Sequence, residues 1–366
     1  RIYTEIRRIR TCNMDAQTYT HDELSQWQTW FDALDTPGPY HAPEYLSLLA
    51  GEFEHDSEQA ELFVYGDDSG FVYYPYLRRS LENLPYADIA VDNPEQYSDI
   101  VSSWYYGGPL LSPDADISIV KTFTQIFREH CRENNIISEF VRFDPNLRND
   151  RIFDTLNPVH NRQTIPIDLT QSKEKIWERY ESRNQRAIRQ ARKSPVNIDR
   201  EYSVSDINQF HTIYMNAMDS RDAAEHYRFP LQFFKELITS EFCSPVIARH
   251  SSDVVGGFLI APDDICSHHY LSASNPEYWD DRVNNLMYHK AVMYMHDTGR
   301  KVFDFQGGRP GVFKFKKGYS PARREFYIAK RVHQPEIYDA LVDAAASAGV
   351  ETDTGYFPAY RIEQSN

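Results

Sequence analysis

The chain has 366 residues, of which 41% are hydrophobic and 14% aromatic, and a formal net charge of -15. That length suits about two domains. No run of ~18 apolar residues is present to span a membrane as a helix, and the acidity argues against broad, non-specific nucleic-acid binding while leaving room for a local basic patch. The four cysteines, Cys12, Cys131, Cys243 and Cys266, are scattered with no CxxC pair, which points to reduced thiols and a cytoplasmic protein.

The first thirteen residues, "RIYTEIRRIRTCN", are basic but lack the apolar centre of a signal peptide. Residues 1–14 are read as a tag or disordered segment outside the fold. "DELSQWQTWFDAL" has apolar residues at helical spacing and stops before the turn-rich "DTPGPY". "PEYLSLLAGEF" is a second short helix, and "AELFVYGDDSGFVYYPYLRR" reads as a hairpin. "ISIVKTFTQIFREHCRENN" is an amphipathic helix, "SEFVRFD" a strand and "PNLRND" a turn.

A second set of elements starts near Thr164. "QTIPIDL" is a strand, and "SKEKIWERYESRNQRAIRQARKS" reads as one long helix capped by Ser172. Two further helices follow, "VSDINQFHTIYMNAMDSR" and "FPLQFFKELITSEF". A three-stranded meander spans "PVIARHSSDVVGGFLIAPDDICSHHYLSAS". Then come the helix "NNLMYHKAVMYMHDTG" and the strands "KVFDFQ" and "REFYIAKRV". The order predicts an α/β (α+β) chain of two similar halves, 15–160 and 161–366, each a mixed, mostly antiparallel sheet flanked by helices.

Several stretches together resemble one family. They are "YYGGPL", "VRFDPNLRN", the arginine-rich helix, and the closing block "HHYLSAS", "NNLMYHKAVMYMHDTG" and "VFDFQGG…FKFKKGY". In this order they resemble the Fem family of aminoacyl-tRNA-dependent peptidyltransferases, and the second half resembles the GNAT-type acyltransferase fold. The resemblance covers roughly Tyr40 to Val332. It implies two tandem GNAT-like domains and transfer of an activated acyl group to an amine acceptor on a small molecule or peptide. The anionic donor it favours is charged tRNA, with acyl-CoA as the alternative; no metal and no bound cofactor is implied. Coenzyme A-dependent GNAT enzymes carry a glycine-rich loop before a helix. Here that loop is "NPEYWDDRVNN", with no glycine and with Glu277, Asp280 and Asp281. Each acid repels a pyrophosphate by on the order of a kcal/mol at close range. A third reading, a non-catalytic binding module, stays open because fold does not fix function.

In the candidate site, the stretch "FDFQGGRPGVFKFKKGY" sets lysines beside glycines. Gly307 and Gly308 allow close backbone approach, and Arg309 begins a turn. As a strand, "VFKFKK" would place Lys314 and Lys316 on one exposed face and Phe313 and Phe315 on the other; a solvated hairpin is the plain alternative. The resemblance puts Phe315-Lys316 at the acyl-transfer centre, with Lys316 stabilising negative charge. Arg183 and Arg186 lie on a basic helical face suited to phosphate, or simply to solvent. In "HHYLSAS" one of His268 and His269 is expected to point into the sheet and the other out. His269 or Tyr270 could accept a proton from an amine; a packed histidine competes. Cys266 and His268 share a strand face, either as packing or as part of a metal site. Tyr106, Gly107 and Gly108 form a loop pocket or a turn, and Arg221 and Tyr227 lie in a polar segment that could face a cleft.

Overall fold

The computed structural model of the protein describes residues 16–35, 37–52, 58–224 and 227–362. The expected N-terminal segment, 1–14, lies outside the described residues. By contacts the chain divides into two compact units, one formed by residues up to Asn161 together with Phe326 onward, the other by Arg162–Glu325.

In chain order the first unit opens with β1 (Gln17–Thr20), α1 (Leu24–Phe31) and α2 (Pro43–Glu52). The predicted hairpin follows as β2 (Glu58–Asp67) and β3 (Gly70–Ser80). It turns at Gly70, whose φ of +140 favours glycine. Then come β4 (Ser98–Val101), β5 (Leu110–Leu111), α3 (Ile119–Glu133), β6 (Ile136–Arg142) and β7 (Val159–Thr164). Helix α3 seats Phe123, Phe127 and Cys131 against Phe63, Tyr74 and Val141 of the sheet.

The second unit contains β8 (Pro166–Asp168), α4 (Lys173–Glu178), α5 (Ser182–Ala191), β9 (Val196–Asp199), α6 (Val204–Asp219) and α7 (Leu231–Thr239). The meander is β10 (Ser244–His250), β11 (Asp253–Pro262) and β12 (Cys266–Ser274). After it come α8 (Val283–Asp297), β13 (Val302–Asp304) and α9 (Pro310–Lys316). The sheet order is β8-β13-β12-β11-β10-β9. All its pairings are antiparallel except β12 with β13. That pair is parallel because α8 carries the chain back across the sheet. One core binds Ile188 and Ala191 of α5 and Leu286, Ala291 and Val292 of α8 to the sheet residues Val246, Phe258 and Phe303.

The chain ends in β14 (Arg324–Val332) and α10 (Pro335–Ser347). Element order in the sequence places 326–366 in the second domain. Instead β14 pairs antiparallel with β6 from Ile328↔Arg142 to Val332↔Ser138. Helix α10 buries Leu341, Ala344 and Ala345 against Leu81, Tyr86 and Ile137. A long-range strand pairing of this kind leaves no mark in local periodicity.

An ion cluster fastens this C-terminal return. Asp99 is fully buried, with Arg79 Nη2 at 2.6 Å and Arg361 Nε at 2.5 Å. Burial works to raise the Asp99 pKa, but Arg361 and Arg79 outweigh it and hold the carboxyl below its ordinary value. Removing one partner of a buried ion pair strands charge in a poor solvent. Arg361→Met is therefore expected to destabilise the first unit by about 3–5 kcal/mol, read as a lower Tm in calorimetry of the full chain. An unchanged Tm would show that Arg79 alone suffices.

Candidate functional site

The parallel pairing of β12 with β13 runs from Cys266↔Val302 to His268↔Asp304 and stops there. Beyond Asp304 the chain bends away. Asp304 Oδ1 accepts from the Gln306 N–H at 2.7 Å, Gln306 has a φ of +59, and Gly308 has a φ of +146. The Phe305 N–H still donates to Ile165 O at 3.0 Å on the β8 side. Past this bend the Phe305 carbonyl needs a partner from outside the strand ladders, and a buried orphan carbonyl is costly.

The amine of Lys316 fills that gap. Nζ donates to Phe305 O at 2.7 Å and to Gly307 O at 3.0 Å, and lies 3.1 Å from His269 Nδ1. Lys316 is 3% exposed. It reaches this position because residues 310–316 are helix, not strand. Arg309 is the N-cap, Pro310 sits in the first turn where it loses no hydrogen bond, and the lysines fall in the last turn, near the negative end of the helix. At helical spacing Lys314 and Lys316 point about 200° apart. The expected shared face therefore does not form: Lys314 is exposed and Lys316 is buried.

Burial pushes the Lys316 ammonium down to about 7, against some support from Asp304. His269 is also buried, and burial, then the Lys316 charge, hold it well below its ordinary value, so it is neutral. His269 Nε2 lies 2.9 Å from Ser272 Oγ and 3.4 Å from Tyr288 OH, and Ser272 Oγ lies 3.1 Å from Tyr288 OH. A bulge makes this possible. Leu259 pairs with Leu271 but Ile260 pairs with His269, leaving Tyr270 as the extra residue. Strict alternation would put His269 and Ser272 on opposite faces. Phe315 completes the surroundings, its ring 5.0 Å from Tyr288 and 5.6 Å from Tyr319.

The structure thus brings together Lys316, His269, Phe315 and Gly307 of the expected residues. Tyr270 instead packs its ring on Phe242, at 5.7 Å. His268 and His269 are both buried, contrary to the expectation of one in and one out. His268 faces Asp263 at 3.7 Å and Asp304 at 4.0 Å. Among the described residues no three His, Cys, Asp or Glu side chains are grouped to hold a metal ion. Arg309 and Arg221 are exposed, and the Arg221 charge reaches Tyr288, whose phenol burial pushes up to about 12. Tyr227 is exposed, and its carbonyl accepts from Tyr214 OH.

The expected single arginine helix is two. It breaks at Arg179–Glu181, where the Tyr180 ring is buried against Tyr319 and the Glu181 N–H donates to Gly318 O at 2.8 Å. Ser172 caps α4 as expected, accepting from the Lys175 N–H. On α5, Arg189 and Arg192 lie over the Trp177 ring at 5.3 and 5.4 Å. Arg192 also donates to His289 Nε2 at 2.8 Å. Arg183 pairs with Glu181 at 2.7 Å and donates to Lys314 O at 2.7 Å, which ties α5 to α9. Arg186 is exposed and has no partner among the described residues.

In the first unit Tyr106, Gly107 and Gly108 are buried. Gly107 N–H donates to Arg142 O at 2.7 Å, and Asn149 Nδ2 donates to Gly107 O at 2.8 Å. This is a fastened loop. A cleft of about 340 Å³ in the second unit, lined by Asp168, Lys301, Val302 and Arg323 among others, opens at the opposite end of β13 from Lys316. Ser272, Tyr288 and Tyr319 lie within the closing block of the sequence but are not singled out there as site residues; the bulge and the α8 packing bring them in.

A family model described as an acetyltransferase (GNAT) domain matches residues 179–317. Among solved structures, FemX superposes with a TM-score of 0.62 at 11% identity, over 89% of this chain and 99% of that one. A conserved protein of unknown function from Bacteroides thetaiotaomicron VPI-5482 gives 0.54 at 9% identity, over 87% and 99%. L-PGS from Bacillus licheniformis gives 0.51 at 10%, over 84% and 91%. At these identities the likeness is one of fold. No curated protein matches the sequence significantly.

The lowered Lys316 pKa sets a pH test of stability. The unfolded lysine, with the ordinary value of 10.5, binds its proton more tightly than the folded one at about 7. The penalty for burying the ammonium is therefore complete below pH 7 and fades as pH rises towards 10.5. Relative to Lys316→Met, wild type should gain up to a few kcal/mol of stability between pH 7 and 10, at about 1.4 kcal/mol for each pH unit. Denaturant titrations at each pH check this. A difference that stays flat would mean the folded lysine keeps its ordinary pKa.

Proposed function

We propose that this chain, whose residues 179–317 form an acyltransferase domain of the GNAT type, moves an aminoacyl group from charged tRNA to an amine. The amine attacks the ester carbonyl directly. Lys316 supplies positive charge where the carbonyl oxygen becomes negative, and much of the remaining rate comes from holding amine and ester together. The observation that carries the reading is the buried Lys316 amine at the point where β12 and β13 part, with a pKa poised near neutrality. A group so placed costs stability, and such costs concentrate at functional sites.

The donor class rests on charge. The segment ahead of α8 carries Glu277 and Asp280, both exposed, and Asp281, half-buried. These acids oppose a pyrophosphate at the start of that helix. Exposed Arg186 on α5 favours a phosphate backbone. The second reading, an acyl-CoA donor, is favoured by the matching family, described as acetyltransferases.

Titrating the full chain with bulk aminoacyl-tRNA and, separately, with acetyl-CoA separates the two. Binding of the first only is the expected result. Binding of acetyl-CoA alone supports the second reading, and binding of neither supports a non-catalytic module. Arg186→Ala should weaken charged-tRNA binding and lower the salt slope, log K against log salt, by about 0.7–0.9 for one lost phosphate contact. An unchanged slope would leave that face solvated only. Lys316→Met should lower kcat by ~10²–10³ and change KM less.

A further inference from the structure

An acceptor amine is an ammonium ion near neutral pH and must lose a proton before it can attack. The two carbonyls beside Lys316 Nζ can only accept, so Nζ donates to both whether charged or neutral. The third neighbour, His269 Nδ1, is the one whose role can reverse. As an ammonium, Nζ gives its last hydrogen to Nδ1, and His269 carries its own proton on Nε2, towards Ser272 Oγ. As a neutral amine, Nζ accepts from Nδ1–H, and Nε2 accepts from the Ser272 hydroxyl. The ammonium therefore has no hydrogen left over for a substrate oxygen. What its charge controls is the direction of the hydrogen-bond chain. Along β12 every residue is buried except Ser272, which is half-buried. The chain thus leads from an enclosed amine to a hydroxyl that a ligand can reach.

We propose that Ser272, His269 and Lys316 form a proton relay, with Ser272 Oγ touching the acceptor amine and the neutral Lys316 amine as the terminal base. This rests on the acyl-transfer reading. The acceptor ammonium gives a proton to Ser272 Oγ, the hydroxyl hydrogen passes to His269 Nε2, and the Nδ1 hydrogen passes to Lys316 Nζ. The products are a free amine, His269 still neutral in its other tautomer, and the Lys316 ammonium. The amine then attacks the carbonyl carbon, the C–O bond of the ester breaks, and the leaving oxygen takes the second amine proton. Lys316 returns its proton to solvent by the same path. Lys316 is thus already charged when the carbonyl oxygen becomes negative, without contact between them.

The surrounding groups agree with this direction. Asp304 from β13 favours the Lys316 ammonium. Tyr288 from α8 and Tyr319 are buried phenols with raised pKa values, so neither competes as a base. The Arg221 charge acts on Tyr288 and Tyr214. His268, next in the strand, faces Asp263 and Asp304 instead.

The test uses the full chain, with bulk aminoacyl-tRNA as donor and two acceptors, a lysine-containing tripeptide and hydroxylamine, which is neutral at pH 7. Ser272→Ala should lower kcat for the tripeptide by ~10²–10⁴ with KM within a few-fold. It should abolish the rise of kcat through pH 7 and leave hydroxylamine transfer nearly unchanged. Ser272→Thr, which keeps the hydroxyl, should restore the rate and the pH profile. Nitrogen-15 spectra of His269 should show one neutral tautomer replacing the other between pH 6 and 8, with no imidazolium. A fixed tautomer, or a Ser272→Ala enzyme with wild-type kcat and profile, overturns the relay while acyl transfer stands. Tautomer exchange without turnover of either acceptor overturns the acyl-transfer reading, and the relay's role as its base falls with it.

Discussion

The site depends on backbone carbonyls left without ladder partners. A parallel strand pair ends at His268 and Asp304, and beyond it the carbonyls of buried Phe305 and half-buried Gly307 need a donor. A lysine amine meets that need and becomes buried in the process. Its pKa, its contact with His269 and its separation from solvent follow from the requirement that buried backbone groups be paired. The same requirement explains the short helix 310–316, which is what carries the lysine to the carbonyls.

Two buried charged centres illustrate different solutions to desolvation. In the first unit Asp99 is buried between two arginines, which outweigh the burial and keep it ionised. In the second unit the Lys316 amine is held by two carbonyls and a neutral ring, with no carboxylate among these three partners. The first arrangement fixes a charge and holds a chain terminus. The second leaves the charge free to come and go near neutral pH, a property suited to chemistry and not to structure. The arginines of α5 divide in the same way. Stacking on Trp177 and the bond to His289 occupy Arg189 and Arg192, Arg183 braces α9, and Arg186 is exposed.

Local pattern in the sequence was enough for most elements. The hairpin of β2 and β3, the amphipathic α3, the meander and α8 all follow from turn residues and hydrophobic spacing, and the mixed α/β class follows from their order. The family resemblance also puts Phe315-Lys316 at the acyl-transfer centre, while His269 is a candidate by residue type alone. Departures from local pattern occur where local and distant forces compete. "VFKFKK" alternates like a strand, yet Pro310 and the burial of Lys316 make it a helix. The long arginine helix breaks because Tyr180 packs inward and the Glu181 N–H finds Gly318 O.

By itself the sequence determined the kinds of element, their order and the chemistry available, because these depend on residue type and short spacing. Tertiary structure alone decided which groups meet. The bulge at Tyr270 brings His269 and Ser272 to one side of β12, where alternation would have parted them. The pairing of β14 with β6 carries residues 326 onward back to the first unit. Burial converts Lys316 from a surface cation into a base near neutrality. Each is a matter of distance and desolvation between residues far apart in the chain, and neither quantity exists until the chain has folded.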